Sequence, residues 1–207
     1  MGGLAGLSLL LLIRGLSMDL AASEGPNPAV QVGPGVGAMV AVTAFDVNDQ
    51  TLTLRCRILN RSDHDIWVCE GVKVRQHEFD GTDSEIYMDP DARTLVIARW
   101  IEAPMQVKYV RPPDFEGRYV RVRAGQERTE TLSLAVPVNR RGFFSSPGPR
   151  VNCATRLVLR IGFYERDLAE GLAMEKVIIP YRSWFAPASG AERYLEMTID
   201  GVFIDVV

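Results

Sequence analysis

Leu52-Thr53-Leu54-Arg55-Cys56-Arg57-Ile58-Leu59 carries apolar side chains at Leu52, Leu54, Cys56 and Ile58, with Thr53, Arg55 and Arg57 between them. Successive side chains of a strand point to opposite faces, so this period of two predicts a strand with one face in a core and the other in water. Cys56 falls on the inner face. Comparable runs lie at Met39 to Val47, Ile66 to Val74, Leu95 to Trp100, Gln106 to Val110, Tyr119 to Arg123, Thr129 to Val136, Arg156 to Tyr164, Lys176 to Ile179 and Tyr194 to Val207. Turn formers separate them, among them Asn48-Asp49-Gln50, Asn60-Arg61-Ser62-Asp63, Pro112-Pro113-Asp114 and Ala124-Gly125-Gln126. About ten strands follow, and the fold expected is all-β, an antiparallel β-sandwich. Asp200-Gly201 between Met197-Thr198-Ile199 and Val202-Phe203-Ile204 predicts a closing two-residue hairpin. Only Glu165 to Glu175 has helical composition, and Gly171 interrupts it, so one short helical turn is the most that is expected.

Two stretches precede this body. Residues 1–23 hold an apolar run from Leu4 to Ile13, the length of a signal-peptide core and short of the roughly 20 residues that span a bilayer. Small residues Ala21, Ala22 and Ser23 suit cleavage, although no Lys or Arg precedes the run and Arg14 follows it. Export is the expectation, with an uncleaved anchor or a docked apolar helix as the alternatives. Residues 24–37 form a linker: Gly25 to Gly37 holds three prolines and four glycines in thirteen positions, which suits an extended tether. Residues 38–207 are the sandwich domain.

Composition narrows the function classes. Apolar residues make up 47% and charged residues 24%, which opposes both a disordered chain and a multi-span membrane protein. The 23 basic and 26 acidic residues leave a formal charge of −3, so no global field attracts nucleic acid. No cofactor is expected. Cys56, Cys69 and Cys153 lack the paired spacing of a zinc site. A Cys56–Cys69 bridge between consecutive strands and three free thiols both remain open. His64 and His77 have no partner at metal-ligand spacing, and no G-x-S-x-G elbow presents a serine.

The segment Leu52 to Val68, LTLRCRILNRSDHDIWV, resembles strands B and C of immunoglobulin-like and fibronectin-III-like domains, and Ala124 to Pro137 resembles their E-strand region. Together they cover about a sixth of the chain. The resemblance implies that Trp67 is the buried Trp of strand C and that Cys56 holds the first position of a B–F disulfide. RLVLRIGFY, the run best placed as strand F, has no second cysteine, because Cys153 precedes it. The antibody-type subclass is therefore rejected, and an architecture without a function is implied.

Three groups of residues could carry function. Asp80 to Asp91 contains Asp80, Asp83 and Glu85 as weak candidates for a metal, without EF-hand spacing and with a short strand at Ile86 to Met88 dividing the acids. Asn139 to Arg150 sets Phe143 and Phe144 in a Gly-, Ser- and Pro-rich loop flanked by Arg140, Arg141 and Arg150, the residue types enriched at contact sites. Those rings either form an exposed patch or fold back over the sandwich end. Trp67, Trp100 and Trp184 could supply sugar-stacking platforms, with Trp67 assigned to the core. Asn60-Arg61-Ser62 fits the glycosylation pattern, which matters only on an exposed turn.

The function expected is non-catalytic: a secreted, periplasmic or envelope-bound binding or scaffolding domain, with a protein or polysaccharide partner and the Arg-Phe-Phe loop as its surface. Membrane contact follows only if the N-terminal segment stays uncleaved. The alternatives are a hydrolase whose carboxylates come together from loops, such as Asp80, Asp83 or Glu165, and a carbohydrate-binding accessory module.

Overall fold

The computed structural model describes residues 29–31, 37–74, 83–89, 93–101, 115–140, 152–169, 171–180 and 192–207. These form eleven strands and, among the described residues, no helix: β1 (Ala29–Gln31), β2 (Ala38–Val47), β3 (Thr51–Asn60), β4 (Ile66–Val74), β5 (Glu85–Asp89), β6 (Thr94–Arg99), β7 (Phe115–Val122), β8 (Glu127–Ala135), β9 (Cys153–Tyr164), β10 (Lys176–Pro180) and β11 (Arg193–Asp205). The smaller sheet runs β2-β3-β8. The larger runs β1-β11-β9-β4-β7-β10, with β6 joining β9 and β5 joining β6.

The alternation of β3 explains how the sheets meet. Leu52, Leu54, Cys56 and Ile58 are buried and pack with Val40 of β2 and Leu132 and Leu134 of β8. Facing them from the larger sheet are Ile66 and Val68 of β4, Leu95 and Ile97 of β6, Leu157, Leu159, Ile161 and Phe163 of β9, and Leu195, Met197 and Ile199 of β11. One aliphatic core thus joins two sheets. Burying these side chains stabilises the fold by about 1.5–3 kcal/mol each.

Four expectations can be set against these strands. First, β6 runs parallel to β9, from Thr94 opposite Arg156 to Arg99 opposite Ile161. β4 pairs with β9 only at Trp67 and Val68, so β6 fills the rest of that edge, and its six residues are buried on both faces as a parallel strand requires. Second, Asp200-Gly201 makes no hairpin. β11 stays on β9 from Arg193 to Asp205 with a register shift between Asp200 and Ile204, where Gly201 takes φ +73°. A positive-φ Gly suits a bulge as well as a turn, and the twelve residues of β9 offer a partner for the whole run. Third, 165–169 and 171–175 form turns and bends. Asp167 accepts hydrogen bonds from the N–H groups of Ala169 (2.9 Å) and Gly171 (3.0 Å), which holds the chain in a compact turn. Fourth, Ala29–Gln31, within the stretch read as linker, pairs with Glu196 to Thr198 of β11. The run expected at Gln106 to Val110 lies outside the described residues, as does the whole of 1–23.

Candidate functional site

Chemistry-bearing side chains gather on the outer face of the larger sheet, away from the aliphatic core. Because neighbours on a strand alternate, the residues between Ile66, Val68, Ile161 and Phe163 point outward: Trp67 and Cys69 from β4, Gly162 and Tyr164 from β9, and Tyr119 from β7. Tyr119 and Tyr164 stack tilted at 5.2 Å between ring centroids, and the Arg121 guanidinium lies 5.0 Å over the Trp67 ring. Trp67 is fully buried, as read, but on this face. It is therefore not placed as the strand-C Trp that the resemblance implies.

Glu192 closes this layer. Its carboxylate accepts hydrogen bonds from the Tyr119 hydroxyl (2.5 Å) and the Ile101 N–H (2.8 Å). It lies over Gly162, where a Cβ would run into the carboxylate and approach the Trp100 Cβ to 2.7 Å. Cys69 sits beside Tyr119 and donates to the carbonyl of Gly71 at 3.4 Å. Burial, reinforced by the Glu192 charge, pushes the Cys69 thiol well above its ordinary range, and burial does the same to Tyr119. Both groups are held protonated at neutral pH. Nucleophilic use of Cys69 would need the thiolate that this surrounding disfavours, so the geometry makes the cluster a clasp over Gly162.

The other cysteines are separate. Cys56 lies in the aliphatic core with its thiol pushed up to about 12, by burial first and the Glu130 charge second. Cys153 is half-buried, and all three are free, which overturns a Cys56–Cys69 bridge. The two thiols belong to different sheets and different packing clusters.

Of the acidic metal candidates, Asp83 and Glu85 are among the described residues. Asp83 and Glu85 are buried, the Asp83 carbonyl accepts from the Val72 N–H (3.0 Å), and Glu85 opens β5 opposite Ala98. Pairing with β6 makes Glu85–Asp89 a strand with Glu85 and Asp89 at its two ends. Glu165 is tied to Arg193 at 2.8 Å. Among the described residues no group of three or more His, Cys, Asp and Glu gathers as for a metal. Asp80 and His77 lie outside the described residues, and His64 sits in an exposed turn bonded to Asp63 at 2.9 Å.

Asn60 is no glycosylation acceptor. It is fully buried; its amide nitrogen donates to the carbonyls of His64 (2.8 Å) and Val122 (2.9 Å), and its oxygen accepts from the Ser62 N–H (3.0 Å). Trp100 is buried as well, edge-on to Tyr194 at 4.8 Å, so it offers no flat platform. Trp184 lies outside the described residues.

The Arg-Phe-Phe loop is described at its two roots. On the entering side Val138 donates to the Asp205 carbonyl (2.7 Å) and accepts from the Val207 N–H (3.0 Å), while Arg140 donates to the Val207 carbonyl from its backbone N–H and from Nε, both at 3.2 Å. On the leaving side the Asn152 carbonyl accepts from the Val206 N–H (3.0 Å). Both roots are thus fastened to the last residues of the chain. There Val202, Ile204 and Val206 face the core, while Phe203 and Val207 face water, Phe203 with 76% of its surface exposed. Arg141, Phe143, Phe144 and Arg150 lie outside the described residues. Sequence reading missed Phe203, because the expected hairpin assigned it to an ordinary strand.

No family model matches the chain, and comparison with curated proteins and with solved structures gives no match.

Proposed function

We propose that this chain is an exported immunoglobulin-like sandwich that acts by binding or scaffolding at the cell envelope or outside the cell, through its Arg-Phe-Phe loop. The observation that carries the reading is the shared anchorage of that loop. Both roots are tied to 205–207, beside the most exposed ring of the described residues, Phe203. Arginines and aromatic rings are the composition of a recognition surface, and here the loop that carries them springs from a fastened base. The partner class is a protein or a polysaccharide.

The strand order favours the immunoglobulin-like part. β2-β3-β8 corresponds to A-B-E of that architecture, and β11-β9-β4 corresponds to G-F-C. The outward Trp67 and the inserted β5–β6 pair depart from it. Export rests on the apolar run and the small-residue site of 1–23.

The test is saturation binding of the purified chain to envelopes from the cells that make it. Replacing Phe143, Phe144 and Phe203 by Ser is expected to weaken binding by about ten-fold, as loss of central aromatic anchors does, with unchanged thermal stability. Unchanged binding would overturn the reading.

A further inference from the structure

β8 ends the smaller sheet, and its hydrogen bonds fix which backbone groups it leaves outward. Asn60 donates to the Gln126 carbonyl at 3.0 Å and Val136 to the Gln50 carbonyl at 2.9 Å, so even-numbered residues from 126 to 136 exchange bonds with β3. The N–H and C=O groups of Glu127, Thr129, Thr131, Ser133 and Ala135 therefore point away from the sheet. Among the described residues no strand pairs with that edge. Its nine residues hold no Pro, Lys or bulge, and the inward-pointing charges that blunt an edge, Arg128 and Glu130, stand in its first half, which leaves the half from Thr131 to Ala135 the less guarded. β10, the edge of the larger sheet, shows the contrast. By the bond from Arg121 N–H to the Glu175 carbonyl (2.9 Å), its outward residues are Lys176, Ile178 and Pro180, two of them edge blockers.

A strand added to β8 would turn alternate side chains toward the larger sheet. Near Leu132 and Leu134 those side chains would continue the aliphatic core. Near Arg128 and Glu130 they would meet a charge network: Arg128 binds Glu130 and Glu70 (2.6 Å), Arg118 binds Glu70 (2.6 Å), Arg99 lies 3.6 Å from Glu130, and Lys176 lies 3.4 Å from Glu70. Arg99, Glu130 and Glu70 are the enclosed members, with side-chain exposures of 4%, 11% and 13%, while Arg118, Arg128 and Lys176 reach outward at 24%, 31% and 59%. The network shows its cationic side to an incoming chain.

We propose that the β8 edge binds an extended acidic polypeptide segment by strand addition, its inward side chains apolar beside Leu132 and Leu134 and carboxylates beside Arg128 and Lys176. Backbone pairing supplies affinity, and the cation-lined end supplies direction and sequence preference. The inference rests on the binding reading above but uses a different surface, so each can fail without the other.

The experiment titrates the purified chain with the acetylated peptide Thr-Val-Thr-Val-Thr-Ser-Thr-Glu-Thr, set antiparallel to β8 so that its Glu falls opposite Arg128. The same peptide with Lys for Glu is expected to bind about ten-fold more weakly, and Lys176→Glu to reduce the difference. Thr131→Pro removes an outward N–H without touching the β3 ladder and is expected to abolish binding, as is N-methylation of alternate peptide residues, which leaves the protein unaltered. The serine-substituted loop variant keeps its peptide affinity. Equal affinity for the Glu and Lys peptides, or full binding by the N-methylated peptide, overturns the proposal. So does slow amide exchange at Thr129, Thr131 and Ser133 in the chain alone, which would mark the edge as occupied by another part of the chain or by a second copy.

Discussion

Ile66 and Val68 point from β4 into an aliphatic core, whereas their neighbour Trp67 and the following Cys69 point into a layer of rings and hydrogen-bonded polar atoms. The inner face is held by volume alone, so it responds to the size of what is removed. The outer face is held by particular groups in particular places: a carboxylate over a glycine, a hydroxyl on that carboxylate, a guanidinium on an indole. Both faces are covered around Trp67, so the binding proposed above is assigned to the loop end and the β8 edge and not to this layer.

The strongest way to break this contrast is to empty the inner face. Leu54→Ala is expected to cost about 3–4 kcal/mol in denaturant unfolding, as truncation at a fully buried leucine does. On the outer face the opposite change should hurt: Gly162→Ala adds one methyl and is expected to cost about 2–3 kcal/mol, because the Glu192 carboxylate and Trp100 must move. A Gly162→Ala variant as stable as the parent would show that Glu192 does not close the layer. Tyr119→Phe removes one hydrogen bond to a carboxylate and is expected to cost about 2 kcal/mol with little change in packing volume.

The smallest effect at neutral pH is expected from Cys56, and it grows with alkali. The folded thiol titrates at about 12 and the unfolded one near 9.0, so between those values the unfolded chain has lost a proton that the folded chain keeps. Stability is complete below pH 9 and falls above it, by up to about 1.4 kcal/mol per pH unit from this group. Cys56→Ala should flatten that decline measurably. In native alkylation at pH 8, half-buried Cys153 is expected to react first, with Cys56 and Cys69 protected until unfolding.

How much of this was legible depends on range. The inside of β3 could be read from Leu52 to Ile58 because alternation is local, and Ile66–Val74 was located to the residue. The role of Asp200-Gly201 was not legible: the same dipeptide serves a turn or a bulge, and the choice was made by β9, about forty residues earlier in the chain. The clasp was invisible for the same reason. Glu192 meets Tyr119 across 73 residues and Ile101 across 91, with no motif linking them. Trp67 was correctly read as buried, but alternation alone does not say that a sheet is covered on both sides. The Arg-Phe-Phe loop was conspicuous by composition, whereas its anchorage to 205–207 appears only when the chain is folded.

The most direct test of the proposed recognition at the end and edges is hydrogen–deuterium exchange on the chain alone and mixed with the envelope fraction of the cells that make it. The account predicts new protection at 138–152 and 202–207, extending at most to the β8 edge, with Trp67 to Cys69, Tyr119 and Gly162 unchanged. New protection centred on β4, β7 and β9, with the loop and 202–207 exchanging as before, would contradict it.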